Sequence, residues 1–181
     1  MDLDPVDRIT AGAVGEPGQR TFFLQARTGD RVVTISVEKE QVELLSSSIL
    51  DILASVDKET GEGPPDTELE LEPPLEPLWR AGRLSIGYVE ERDLMLLELE
   101  ELVPGTDEEQ TEGLEGLETP DAPEPARLRM WATREQMLAL SRHGAAVAAR
   151  GRPRCQFCGN PMDPEGHVCP AMNGHRGGAG A

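Results

Sequence analysis

The residues most capable of chemistry in this 181-residue chain lie close together near its C-terminus. All three cysteines, Cys155, Cys158 and Cys169, fall within fifteen residues, and His167 and His175 lie beside them. Zinc prefers four sulfur or nitrogen ligands in a tetrahedron, and a Cys-x-x-Cys pair followed by glycine lets both thiolates face one point. His167 and Cys169 are two residues apart, so an extended strand directs both side chains to one face. The sequence therefore predicts a zinc knuckle with ligands Cys155, Cys158, His167 and Cys169, and with His175 as the alternative to His167.

Other uses of these cysteines fit the sequence less well. An odd number of cysteines argues against a disulfide framework. A thioredoxin-type pair should open a helix, whereas Pro153 precedes this pair and Gly159-Asn-Pro161 follows it. A structural zinc is favoured because four protein ligands leave no position for a catalytic water. If only the three cysteines bind the ion, an open position remains, and a zinc- or thiol-dependent enzyme is then the alternative.

The charge of the chain is strongly acidic and unevenly distributed. The net charge is −17. Residues 1–126 hold 9 basic and 31 acidic residues, a net charge of −22, whereas the remaining 55 residues hold 8 basic and 3 acidic residues, a net charge of +5. An acidic surface repels phosphate backbones, so nucleic-acid binding by the main domain is disfavoured. Only the basic C-terminal segment leaves that class of function open.

No segment has the features of a membrane span or of a secretory signal. No apolar run approaches the roughly 18 residues that a membrane-crossing helix needs. The N-terminal sequence MDLDPVDR is acidic, whereas a signal peptide begins with basic residues. We therefore expect a cytoplasmic protein that does not enter a membrane.

The expected secondary structure is three strands followed by a helix, and this order occurs twice. In residues 1–56, β-rich runs at 9–14, 20–27 and 31–36 precede apolar residues that recur at helical spacing up to Val56. Residues 78–150 repeat the order, with strands at 79–88, 93–100 and 126–131 and a helix that begins with a capping box of Thr133 and Gln136. The predicted fold is α+β, with two tandem β-β-β-α repeats that share an antiparallel-sheet core.

Three further segments complete the predicted organisation of the chain. Residues 57–77 form an acidic, proline-rich linker, since they are too polar to fold alone. Residues 103–125 interrupt the second repeat with eight acidic residues and no basic one, and we expect this insertion to be disordered. Residues 151–181 comprise the zinc knuckle and a flexible, glycine-rich tail.

Residue identities as well as patterns indicate an internal duplication. Glu40-Gln41 and Leu45-Ser46 match Glu135-Gln136 and Leu140-Ser141 at one constant offset of 95 residues. Each repeat alone would leave one face of its sheet uncovered, so the two are expected to pack together around a shared core.

The sequence resembles a family of actinobacterial proteins of unknown function, domain of unknown function 3090, also described as "repeat protein". The resemblance is carried by Phe22-Phe-Leu-Gln-Ala, by Ser36-Val-Glu-Lys-Glu-Gln41 and by Ile86-Gly-Tyr88. It extends to the tail, in Cys155-x-x-Cys-Gly and Asp163-Pro-Glu-Gly-His-Val-Cys-Pro170. The resemblance supports the source and the architecture, and it brings no activity, substrate or catalytic residue.

The remaining candidate residues favour structural roles. His143 lies in the second helix pattern and is expected to be exposed or half-packed, while Trp79 and Trp131 flank strands and are expected to pack between the repeats. No phosphate-binding loop or nucleophile setting is present. The favoured function is therefore a non-enzymatic interaction or adaptor protein that binds another protein, in which the knuckle and its neighbours Arg150, Arg152, Arg154 and Arg176 form a docking tip. A nucleic-acid-binding regulatory protein is the alternative.

Overall fold

A computed structural model describes residues 1–103, 124–150, 155–160, 162, 166, 167 and 169–171. Its elements follow the predicted order of strands and helices, with one additional short strand at the start. They are β1 (Asp2–Leu3), β2 (Arg8–Val14), β3 (Thr21–Thr28), β4 (Arg31–Val37), α1 (Lys39–Ser55), β5 (Ala81–Val89), β6 (Leu94–Glu101), β7 (Arg127–Ala132) and α2 (Arg134–Ala149).

The strands form two separate sheets, and the α+β class is therefore confirmed. The first sheet has the antiparallel order β2-β3-β4, and the second has the order β1-β7-β6-β5. The pairing in the second sheet is antiparallel except for β1, which runs parallel to β7. This short strand was not predicted, because two residues give no readable alternation.

One apolar core lies between the two sheets and the two helices. Along β3, Phe22, Leu24 and Ala26 face this core, while the alternate residues Phe23 and Gln25 are buried on the other face of the sheet. Helix α1 contributes buried residues at helical spacing, including Val42 and Ile49. The other fully buried large side chains of this core come from β2, β4, β6, β7 and α2: Ile9, Ile35, Met95, Leu97, Leu99, Leu128, Met130, Met137 and Leu140.

Each sheet is joined to the chain segment that leads into the other sheet. The edge of β4 binds this segment through Leu78 N–H to Thr34 O (2.9 Å) and Ser36 N–H to Trp79 O (3.1 Å). The edge of β7 binds the N-terminal residues in the same manner, and Val6 N–H donates to Trp131 O (2.8 Å). Both contacts are parallel pairings. The two sheets are therefore fixed to each other by backbone hydrogen bonds as well as by the core.

The helices begin with equivalent capping boxes, in which a glutamine side chain binds the N-cap backbone. In α1, Gln41 Oε1 accepts from Glu38 N–H (2.8 Å), and in α2, Gln136 Oε1 accepts from Thr133 N–H (2.9 Å). The capping box predicted for α2 is thus confirmed. The amide nitrogen of each glutamine then donates to the backbone at the entry of the other unit: Gln41 to Gly82 O (3.0 Å), and Gln136 to Val6 O (3.1 Å).

The two helices cross where their side chains are small. Ser141 Oγ donates to Ser46 O across the contact (2.7 Å). A Cβ placed on Gly144 would lie 3.0 Å from Ser46 Oγ and 3.3 Å from a methyl carbon of Val42. Glycine at position 144 therefore allows the helix backbones to approach each other closely.

The segment predicted as a linker, residues 57–77, packs against the outer face of the first sheet. Leu69 is fully buried, and the side chain of Leu71 occupies the space that a Cβ on Gly12 would fill. Three polar side chains of this face are buried and directly cross-strand from one another: Thr10, Gln25 and Thr34. All three bind backbone groups of the segment, so they hold it by hydrogen bonds that an apolar face would not provide.

Asp93 is the centre of a polar network at the turn between β5 and β6. It accepts hydrogen bonds from Tyr88 (2.6 Å), Arg134 (3.0 Å) and Lys58 (3.2 Å). Arg134 also donates to the backbone oxygen of Glu59 (2.6 Å). The network ties the start of α2 to the chain after α1 and to the second sheet.

The two tryptophans take different positions at the core boundary. Trp79 is partly buried and packs against the shared core. Trp131 is partly exposed, and the guanidinium of Arg92 lies 4.2 Å from its ring centroid, an arrangement that favours a cation–π contact. Arg92 in turn forms an ion pair with Asp4 (2.6 Å). Residue 131 therefore connects the N-terminal segment to the second sheet.

Part of the predicted organisation lies outside the described residues. This applies to residues 104–123 of the predicted insertion and to residues 172–181 of the predicted tail. Among the described residues, no helix combines the length and apolar character that crossing a membrane requires.

Replacing Gln25 with leucine should detach the packed segment from the sheet. Gln25 is 0% exposed, and its amide group binds Glu72 O (2.7 Å), Glu72 N–H (2.9 Å) and Thr34 Oγ1 (3.0 Å). Leucine of similar size leaves the backbone O and N–H of Glu72 without partners, so we expect a loss of about 2–4 kcal/mol in the free energy of unfolding. Urea unfolding measures this change, and limited proteolysis should cleave residues 57–77 faster. The exposed Gln19→Leu is the control, and equal stability of both variants would contradict the role of Gln25.

Replacing Asp93 with asparagine should remove part of the stability of the protein near neutral pH. Hydrogen bonds from Tyr88, Arg134 and Lys58 hold the pKa of Asp93 well below its usual range. A depressed pKa in the folded state gives stability that is present above the unfolded pKa of about 3.9 and is lost as the pH falls below it. Asparagine retains the left-handed backbone of residue 93 (φ 52°), so the change tests the charge.

Urea unfolding of both proteins between about pH 7 and about pH 3 measures this effect. The stability difference between wild type and Asp93→Asn should shrink as the pH is lowered through this window. Asp30→Asn, in the exposed turn between β3 and β4, is the matched control. Parallel stability curves for wild type and Asp93→Asn would show that the charge of Asp93 contributes nothing.

Candidate metal centre

Four side chains near the C-terminus are brought together: Cys155, Cys158, His167 and Cys169. Their ligand atoms all lie within 4.8 Å of one another. The Sγ atoms of Cys155 and Cys169 are 3.8 Å apart, and Cys158 Sγ is 3.3 Å from His167 Nε2. A tetrahedral site with metal–sulfur bonds of about 2.3 Å has sulfur–sulfur edges of about 3.8 Å. The four residues are therefore positioned to bind a metal ion.

A tight turn in residues 155–160 positions the first two thiols. Cys155 N–H donates to Asn160 O (2.8 Å), and Gly159 N–H donates to Cys155 O (2.8 Å). Gly159 has a φ of +73°, a left-handed conformation that glycine adopts without steric cost. The glycine that follows the Cys-x-x-Cys pair in the sequence thus closes the turn, and both thiols point to the same side.

The backbone of this turn also favours negative charge on sulfur. The backbone N–H groups of Cys158 and Phe157 point at Cys155 Sγ and lower the pKa of that thiol; the distance from Phe157 N is 3.4 Å. The Asn160 backbone acts in the same direction on Cys158, but burial and the neighbouring thiols Cys169 and Cys155 outweigh it and raise the pKa of Cys158. A cation at the centre of the cluster would offset the repulsion between adjacent thiolates, so metal binding and thiol deprotonation are coupled.

The burial of the four residues differs around the cluster. Cys155 and Cys169 are buried, whereas Cys158 and His167 are partly exposed. All three cysteines are free thiols. Phe157, between the first two cysteines, is 62% exposed, which is unusual for a side chain of its size. The turn that holds the thiols therefore presents an aromatic ring to solvent.

Several residues of the predicted site lie outside the described part of the chain. These are the alternative ligand His175 and the arginines Arg152, Arg154 and Arg176 of the predicted docking tip. Arg150 is described and lies exposed at the end of α2. The structure therefore places His167 in the cluster.

The exposure expected for His143 was wrong, because this side chain is only 7% exposed. Its Nδ1 lies 3.4 Å from an Asp66 carboxylate oxygen, in the segment that packs over α2. The two residues line a cleft of about 520 Å³ with the end of β2 and the last turn of α2. Sequence reasoning missed this cleft because a polar, proline-rich segment gave no sign of packing against a helix.

Comparison with known proteins identifies one family and gives no functional match. Residues 1–169 match the family model described as "Protein of unknown function (DUF3090)". The resemblance to domain of unknown function 3090 is thereby confirmed. No curated protein and no solved structure matches the chain.

Removing a ligand should remove the metal ion. We expect one ion per chain in the purified protein, and its loss in Cys155→Ser and in His167→Ala, because each change leaves three ligands of four. Inductively coupled plasma mass spectrometry measures the metal content, and the absorption of a cobalt(II)-loaded sample reports thiolate ligation. His175→Ala is the matched control and should keep the ion. Retention in His167→Ala with loss in His175→Ala would overturn the choice of ligand.

Proposed function

Because the chain belongs to the DUF3090 family of proteins of unknown function, we propose its function from the site itself: a cytoplasmic, non-enzymatic interaction or adaptor protein with a structural zinc knuckle. Cys155, Cys158, His167 and Cys169 hold the ion, and the knuckle binds another protein. The observation that carries the proposal is Phe157, an aromatic side chain 62% exposed on the turn between two ligands. Exposed aromatic residues on rigid turns are typical anchors of protein interfaces.

A structural ion is supported by the number and type of the ligands. Three thiols and one imidazole complete a tetrahedron, and soft sulfur ligands favour zinc over magnesium or calcium. A zinc ion with four protein ligands has no open position for water, which is what a hydrolytic centre needs. The cluster thus serves to fix the turn that carries Phe157.

The charge of the main domain favours a protein partner over nucleic acid. Residues 1–126 carry a net charge of −22 and repel phosphate backbones at ordinary salt. Arg150, which is exposed at the end of α2, suits an acidic protein surface. A nucleic-acid-binding protein is the weaker candidate, and binding to single-stranded DNA that weakens steeply with salt would favour it instead.

We infer that the two β-β-β-α units arose by internal duplication. Residues that are 95 positions apart make corresponding contacts, which supports this inference. The capping residues Gln41 and Gln136 bind equivalent places, and Ser46 meets Ser141 at the crossing of the helices. The duplicated domain then acts as the scaffold that carries the knuckle.

Truncating Phe157 should weaken capture of the protein partner. We expect Phe157→Ala to lower the recovery of specific partners by about tenfold in affinity purification from the source cells, because a central aromatic anchor contributes about 2 kcal/mol or more to binding. Gln156→Ala, an exposed neighbour on the same turn, is the matched control and should recover the partners as the wild type does. Metal content should be equal in all three proteins. Recovery of no partner, or equal recovery with Phe157→Ala, would contradict the proposal.

A further inference from the structure

The two helices carry equivalent surface stripes that are covered to different extents. On α2 the stripe consists of Glu135, Ala139 and His143, spaced four residues apart on one face. Residues 59–66 lie over it: Gly61 N–H donates to the Glu135 carboxylate (3.4 Å), Gly63 packs against Glu135 and Ala139, and Asp66 pairs with His143 (3.4 Å). Ala139 and His143 are consequently buried.

The stripe at the same positions of α1 is uncovered in the described part of the chain. Subtracting the offset of 95 residues gives Glu40, Leu44 and Ser48. Glu40 is exposed, Ser48 is half-buried and Leu44 is 66% exposed, the highest value among the exposed large hydrophobic residues. A leucine thus lies open to solvent where the other helix has a covered alanine.

Beside this stripe, a groove of about 300 Å³ runs between α1 and β5. Its apolar lining includes Leu44, Leu84 and Ile86, and β5 is the edge strand of the second sheet. Only one charged residue lines it, the exposed Arg83, for which no described carboxylate lies within ion-pair distance. Among the residues that the structure describes, the groove is therefore lined by no carboxylate and by one cation that forms no ion pair.

We propose that the groove between α1 and β5 binds an extended, acidic peptide segment of a partner protein, with an apolar side chain of that peptide seated on Leu44. The covered stripe gives the form of the ligand, since the segment on α2 is itself acidic and extended, with the sequence Glu59-Thr-Gly-Glu-Gly-Pro-Pro-Asp66. The groove gives its chemistry. Arg83 pairs with a carboxylate of the peptide, and Leu44, Leu84 and Ile86 contact an apolar side chain of it. On α2 the corresponding position holds Ala139, whose contact with the covering segment is smaller.

This inference rests on the proposed interaction function, but it assigns a second surface that does not include the metal centre. Leu44 and Arg83 lie on α1 and β5, whereas Phe157 lies on the metal-binding turn. The two proposals can therefore be tested separately, with Phe157→Ala for the metal-binding turn and with Leu44→Asp or Arg83→Glu for the groove.

Selection from a library of random dodecapeptides displayed on phage, with the full chain as bait, tests the proposal. Peptides that combine Asp or Glu with Leu, Ile or Phe should be enriched. Synthetic copies of them should bind the wild type and should bind Leu44→Asp and Arg83→Glu about tenfold or more weakly in fluorescence polarisation. Leu50→Asp changes another exposed leucine of α1 outside the groove and should bind as the wild type does.

Three results would overturn the proposal. The first is enrichment of no acidic, apolar class of peptide. The second is peptide binding that is lost in Phe157→Ala and retained in Leu44→Asp, which would assign the peptide to the metal-binding turn. The third is self-association of the wild type in sedimentation velocity that Leu44→Asp abolishes, which would assign the groove to a second copy of the chain. Unchanged thermal unfolding of all variants is required for the comparison.

Discussion

Two glutamine side chains, Gln41 and Gln136, fix each helix to the other half of the molecule. Each closes the first turn of its own helix with its amide oxygen and binds the backbone at the entry of the other unit with its amide nitrogen. A β-β-β-α unit alone has a sheet with an uncovered face, so its helix cannot complete a core. Each glutamine therefore caps the start of its helix and also fixes the orientation of that helix relative to the other half. The two helices held in this way cross at Ser46, Ser141 and Gly144.

Both helices pack against the shared core, so neither of them covers the outer face of the first sheet. Residues 57–77 cover this face, although their composition is too polar for a hydrophobic layer. The face is correspondingly polar at Thr10, Gln25 and Thr34, and backbone groups of the segment satisfy these side chains. Burial of polar groups is tolerated where every group has a partner, and it then specifies one register of the segment on the sheet.

Strong periodicity made most of the fold predictable, and the unpredicted features are those that depend on tertiary partners. The strand alternation around Met130 and the helical spacing from Val42 to Ile49 reflect burial against one core, so they are readable locally. The packing of Leu69 and the burial of His143 depend on a segment whose partners are far away in sequence. The cysteine cluster was predictable because Gly159 and the two-residue spacing of His167 and Cys169 encode local geometry. Sequence spacing alone does not decide whether His167 or His175 is the fourth ligand.

Chain connectivity explains why two equivalent helix stripes have different surfaces. After α1 the chain must cross from Lys58 to the edge of β4 at Leu78, and its course lies over α2 and the first sheet. After α2 the chain enters the turn at Cys155, whose form is set by its own hydrogen bonds and ligands. Residues at the same helix positions therefore lie in different environments: Ala139 and His143 are buried, while Leu44 and Ser48 line an apolar groove beside Arg83. Leu44 belongs to an apolar groove with Leu84 and Ile86, and contiguous apolar surface of this kind is typical of a recognition site, whereas a single exposed leucine is not.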